Sequence, residues 1–187
     1  LDADCAFIRL LAGLSTRIIV KTSITDPAIL TSILKASGAG RCIYGECDLI
    51  IDKILEGADK RSTAWLDAAT GVFRMESRFV VENMDDLLLP ARHLLPNERY
   101  RYYFLGMGAV ATIQTSRGCP FQCAYYCPYP LVQGRLWRAQ SPERILAEIK
   151  DIVNHGIKKI LFQDAVFTLN QERVSRLCDL IMESRLA

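Results

Sequence analysis

Thr115-Ser116-Arg117-Gly118-Cys119-Pro120-Phe121-Gln122-Cys123-Ala124-Tyr125-Tyr126-Cys127-Pro128-Tyr129-Pro130 places three cysteines within nine residues. Just before it, Ala109 to Thr115 sets Val110 and Ile113 among small residues, the pattern of a short buried strand. After it, Ser141-Pro142-Glu143 reads as a helix start: a capping hydroxyl, proline at the first helical position and an acid in the first turn. Ile145, Leu146, Ile149, Ile152 and Val153 give that predicted helix one apolar face, and Gly156 can close it in a left-handed conformation. Lys159-Ile160-Leu161-Phe162 predicts a second strand. Asn170 then caps a final helix whose face is Val174, Leu177, Cys178 and Ile181. Strand, loop, helix, strand, helix predicts a parallel α/β layer, with the cysteines in the loop that leaves the first strand. In such folds that end of the strands is where sites are built.

Three thiolates on one short loop can wrap one face of a cubane cluster. A [4Fe–4S] cluster has four irons and thiolates are its usual ligands, so three cysteines leave one iron open to a small chelating molecule. Pro120, Pro128 and Pro130 restrict the loop, and Gly118 permits close backbone approach. Structural zinc is the main alternative, but it asks for a fourth ligand and for paired spacings. Only His93 and His155 are present, both distant in sequence, and Cys178 reads as a packing residue on a helix face. Inert cysteines are the third reading.

The first part of the chain repeats the α/β rhythm. Residues 17–21 are β-branched and strand-like. Asp26-Pro27 starts a helix whose apolar positions are Ile29, Leu30, Ile33 and Leu34, and Gly38 and Gly40 end it. Arg41-Cys42-Ile43-Tyr44 is a second strand, Gly45-Glu46 a turn, and Leu49, Ile50, Lys53 and Ile54 begin another helix. Between 57 and 105 the character changes. Gly57, Gly71, Pro90 and Pro96 punctuate it, 64–67 and 72–78 suggest a small hairpin, and 84–92 reads as an irregular connection. Arg135 and Arg138 read as residues of a solvated turn.

Composition sets outer bounds. The 187 residues are half apolar and carry a net charge of only +2, so no basic stripe signals nucleic acid. No apolar run reaches the ~18–20 residues of a membrane span. Seven cysteines is an odd number, and no secretory signal is visible, which disfavours a disulfide framework and predicts a cytoplasmic protein. The chain begins with Leu1 inside what reads as a folded segment, and is read as a piece of something longer.

The cysteine segment resembles the cluster loop of the radical S-adenosylmethionine (SAM) superfamily. That pattern is Cys, three residues, Cys, two residues, Cys, with an aromatic before the third cysteine. Arg117-Gly118 resembles its lead-in, and Gly134 to Glu143 resembles the stretch opening the first barrel helix. Here three residues, not two, separate Cys123 from Cys127, so one must bulge for the third sulfur to reach the irons. The resemblance implies that Cys119, Cys123 and Cys127 hold a [4Fe–4S] cluster and that Tyr126 packs near the adenine of SAM. It further implies that Asp164, at the end of the second predicted strand, contacts the SAM amino group. A helix cap is the plainer reading of Asp164.

Residues 1–60 resemble the C-terminal part of a cobalamin-binding Rossmann domain, the domain preceding the radical SAM barrel in one subgroup. Residues 61–105 resemble the linker and 106–187 the N-terminal part of the radical SAM domain. The implied fold is α/β: a partial Rossmann-like layer followed by the first βα units of a partial (βα)6 barrel. The implied activity is reductive cleavage of SAM to a 5′-deoxyadenosyl radical for hydrogen abstraction. Cobalamin-dependent methyl transfer is a further implied outcome, although no histidine motif for cobalamin is seen, and Glu46 and Cys47 read more simply as turn and packing residues. The implied partners are a flavodoxin- or ferredoxin-type electron donor and a substrate that the sequence does not name. The alternative is a non-catalytic metal-binding module, with structural zinc or iron–sulfur and no SAM turnover.

Overall fold

Apolar and β-branched residues build three sheets among the described residues, and the loops between their strands carry the residues of interest. A computed structural model describes residues 2–11, 18–102, 104, 106, 108–123 and 127–186. The chain divides into two units: residues 1–81 with 131–133, and residues 82–130 with 134–187.

In the first unit, helix α1 (Asp2–Leu11) precedes strand β1 (Ile19–Thr22), helix α2 (Pro27–Ser37), strand β2 (Arg41–Tyr44), helix α3 (Ile51–Glu56) and strands β3 (Thr63–Leu66) and β4 (Phe73–Met75). The Asp26 carboxylate accepts from the backbone N–H groups of Ala28 and Ile29, and Gly38 closes α2 at φ 69°. Strands β1 and β2 pair in parallel, with Val20 opposite Cys42. Successive residues of β2 point to opposite faces. Cys42 and Tyr44 therefore meet Leu30, Ile33 and Leu34 of α2, while Ile43 meets Cys47, Ile50 and Ile54 on the other side.

The sheet order is β1-β2-β3-β4, with β2–β3 and β3–β4 antiparallel. The layer is thus mixed rather than wholly parallel. The hairpin at 63–75 is real, but its first strand joins the sheet edge beside β2, so residues up to Val81 belong to this unit rather than to a connection. A sequence pattern marks a hairpin without saying which strand its edge will find. Glu46 is buried and its carboxylate accepts from the Val81 N–H at 2.8 Å, and Cys47 lies in the core. Both have the packing roles their positions suggested.

In the second unit, strand β5 (Val110–Ile113) pairs in parallel with β8 (Lys159–Phe162), register Val110 to Lys159. Between them run the short strand β6 (Ser116–Arg117), helix α4 (Tyr129–Gln133), strand β7 (Arg138–Ala139) and helix α5 (Pro142–Asn154), and helix α6 (Gln171–Glu183) follows. Ala111, Ile113, Ile145, Ile149, Ile152, Ile157 and Leu177 form one core between strands and helices. Ser141 caps α5 through the Arg144 N–H, and Asn170 caps α6 through the Arg173 N–H. Cys178, expected on the packed face of α6, is exposed: it follows Leu177 by one residue, about 100° around the helix, and faces outward.

The stretch read as an irregular connection is tied down. Short 3-10 turns span Met84–Asp86, Arg92–Leu94 and Asn97–Arg99. Asp85 accepts from the Ser141 N–H at 2.8 Å, Arg144 donates to the Leu87 carbonyl at 2.6 Å, and buried Arg92 pairs with Glu148 at 2.6 Å. Among the described residues, no helix is long and apolar enough to cross a membrane.

Candidate functional site

The cysteine loop is closed at its base by backbone. Strands β6 and β7 pair antiparallel, Ser116 to Ala139 and Arg117 to Arg138, and the Gln140 N–H donates to the Thr115 carbonyl at 2.9 Å. Arg138, read from sequence as solvated, is buried in this neck, whereas Arg135 is exposed. A two-residue ladder has too little pattern to be seen in a sequence, and pairing is what buries Arg138. Gly118 sits at φ +84°, and a Cβ there would lie 2.0 Å from the Leu136 carbonyl oxygen. Only glycine fits this crossing of two backbone segments. The Cys119 N–H then donates to the Gly134 carbonyl at 3.1 Å, which draws the first cysteine into the base of the loop.

Cys119 is accordingly buried, Cys127 is half-buried and Cys123 is exposed. Among the described residues, no group of three His, Cys, Asp or Glu side chains is close enough to hold a metal ion. Tyr126, together with Ala124 and Tyr125, lies outside the described residues. The donor chemistry of the loop nevertheless fits an iron–sulfur cluster: three soft thiols on one short segment, with a glycine that lets the backbone approach closely.

Asp164 follows β8, beside the start of this loop, where the Gln163 N–H donates to the Ile113 carbonyl at 2.8 Å. It does not cap α6, since Asn170 does. Instead the hydroxyls of Thr115 and Ser116 both donate to Asp164 Oδ1, at 3.0 and 2.6 Å. Its other oxygen, Oδ2, is buried and has no hydrogen-bond partner among the described residues. A buried carboxylate oxygen left unpaired is costly, and such an atom calls for a cationic or N–H donor.

One guanidinium lies behind this carboxylate. Arg173 of α6 is buried and donates to the Gln140 carbonyl at 2.8 Å, to the Thr115 carbonyl at 3.1 Å and to Thr115 Oγ1 at 2.6 Å. The rings of Trp137 and Phe167 each lie 5.7 Å from its Cζ. Burial pushes the Arg173 pKa below its ordinary value, and Asp164 and Asp85 oppose that shift. The sequence reading passed over Thr115, Ser116 and Arg173. Its one available signal was that Arg173 stands four residues before Leu177, on the stripe that faces the core.

No protein-family model matches the chain. An uncharacterised methyltransferase of Pyrococcus horikoshii is 34% identical over 139 residues, covering 73% of this chain and 29% of that protein. The hopanoid C-3 methylase of Methylococcus capsulatus is 35% identical over 120 residues, covering 62% of this chain and 22% of the methylase. The chain therefore spans less than a third of either relative. Among solved structures, the radical SAM methyltransferase TsrM of Kitasatospora setae, with cobalamin and a [4Fe–4S] cluster bound, superimposes with a TM-score of 0.63. The match covers 97% of this chain and 36% of TsrM, at 15% identity, and so speaks to the fold. The sequence relatives are methyltransferases by name, and the likeness to TsrM is one of fold. The cysteine loop and Asp164 both fall in the second unit.

Proposed function

We propose that this chain contributes the cluster-binding and SAM-binding part of a radical SAM methyltransferase. The observation that carries the reading is Asp164: a carboxylate held through one oxygen by Thr115 and Ser116, its other oxygen buried and unpaired, next to the cysteine loop. The unpaired Oδ2 accepts the ammonium group of SAM and so orients it. Cys119, Cys123 and Cys127 ligate a [4Fe–4S] cluster, Tyr126 stacks near the adenine, and the Gly118 crossing holds the first ligand against the loop base. When bound, the cluster supplies an electron, received from a flavodoxin- or ferredoxin-type donor, for reductive cleavage of SAM to methionine and a 5′-deoxyadenosyl radical. The buried base of the loop helps exclude water and stray oxidants there.

The names of the similar proteins support methyl transfer as the outcome, with cobalamin as the methyl carrier. On this reading the first unit is a cobalamin-binding-type layer and the second is the opening of the partial barrel. The test is anaerobic reconstitution with iron and sulfide, followed by EPR after reduction. A cubane signal altered by added SAM is expected, and Cys119→Ser abolishes it. Stoichiometric zinc without iron, or a cluster signal indifferent to SAM, would overturn the assignment in favour of a structural metal module.

A further inference from the structure

Arg173 is not itself among the proposed ligands, yet the segments on either side of the cysteine loop and the loop carrying Asp164 meet at it. Its guanidinium joins Thr115 before the cysteine loop, Gln140 after it, and the Phe167 carbonyl in the loop that carries Asp164. We propose that Arg173 is a positioning residue that sets the Asp164 carboxylate through the Thr115 hydroxyl. This rests on the reading of Asp164 as the acceptor of the SAM ammonium.

The direction of the hydrogen bonds carries the argument. A guanidinium has donors only, so in the 2.6 Å contact the Thr115 oxygen must accept. The single hydroxyl proton of Thr115 is then committed to Asp164 Oδ1 at 3.0 Å. With the Ser116 hydroxyl on the same oxygen, Oδ1 is taken and Oδ2 is the oxygen left for a ligand. Without Arg173, the Thr115 hydroxyl can turn its proton elsewhere and Asp164 can rotate. The placement is costly as pure packing. Arg173 is buried on the core stripe of α6, one turn before Leu177, where an apolar side chain would avoid the desolvation that lowers its pKa. Its planar fork, flanked by Trp137 and Phe167, suits fixing three carbonyls and one hydroxyl in a single geometry.

The experiment measures SAM affinity by equilibrium dialysis on the anaerobically reconstituted chain, with iron content and the SAM-induced EPR change read in parallel. Asp164→Asn serves as reference. Thr115→Val removes the hydroxyl but keeps the shape, and is expected to weaken SAM binding about tenfold, the worth of one hydrogen bond to a charged group, with iron content unchanged. Thr115→Ser restores affinity. Arg173→Lys weakens binding in the same sense, and the double variant is no weaker than the poorer single one, because both act on one path. If Arg173→Lys does not fold, the Thr115→Val and Thr115→Ser pair decides alone. Parent-like affinity in Thr115→Val while Asp164→Asn is impaired overturns the positioning role and leaves the Asp164 reading standing. Parent-like affinity in Asp164→Asn overturns both. Loss of iron in Thr115→Val also overturns the proposal, since the network would then be holding the cysteine loop rather than the carboxylate.

Discussion

Seven cysteines lie in very different surroundings, and their reactivity should sort accordingly. Burial pushes the Cys42 thiol up to about 11, with buried Cys5 adding to the shift. Cys42 therefore stays protonated in the folded chain where the unfolded chain, with its ordinary value of 9.0, begins to ionise. The stability it contributes is complete below pH 9.0 and is lost as pH rises through about 11. Iodoacetamide at pH 8, with sites mapped by mass spectrometry, should label exposed Cys123 and Cys178 promptly and Cys42 only after unfolding. The sequence marked the loop thiols by spacing, but it placed Cys178 in the core. A residue adjacent to Leu177 in sequence lies a quarter turn away in space, and apolar character alone does not say which side of that turn is covered.

At the scale of elements, helix ends were the most legible features. Asp26, Ser141 and Asn170 each cap the helix they were expected to cap, because a short polar side chain next to a free N–H is a local arrangement. The β6–β7 neck was invisible, as was helix α4, since two-residue strands and a five-residue helix have no period to detect. The neck makes its own prediction. Gly118→Ala forces a side chain into φ +84° and against the Leu136 carbonyl, which is backbone and cannot swing away. A loss of at least ~1–3 kcal/mol is expected from the strained conformation alone. Thermal unfolding measures it, and retained iron after reconstitution should fall with it because the loop base can no longer close.

For the molecule as a whole, the outcome turned on which segments were recruited to which unit. Residues 84–92 read as an irregular connection, yet they are bound within the second unit through Arg92, buried with Glu148 at 2.6 Å and reaching Asp151 at 3.4 Å. Arg92→Met leaves the Glu148 carboxylate buried and unpaired and should cost about 3–5 kcal/mol, whereas Arg92→Met with Glu148→Met should recover most of that loss. Chemical denaturation followed by circular dichroism distinguishes the two variants.

By itself the sequence determined the periodic elements, their caps, the parallel pairing rhythm and the thiol triplet, all of which are written within a few residues of one another. Only the tertiary structure decided the mixed sheet of the first unit, the burial of Arg138 and the grouping of Asp164 with Thr115, Ser116 and Arg173. Thr115 is 49 residues from Asp164 and 58 from Arg173. No local pattern links positions so far apart. Strand pairing brings their backbones together, and the cost of burying unpaired polar atoms decides which side chains then meet.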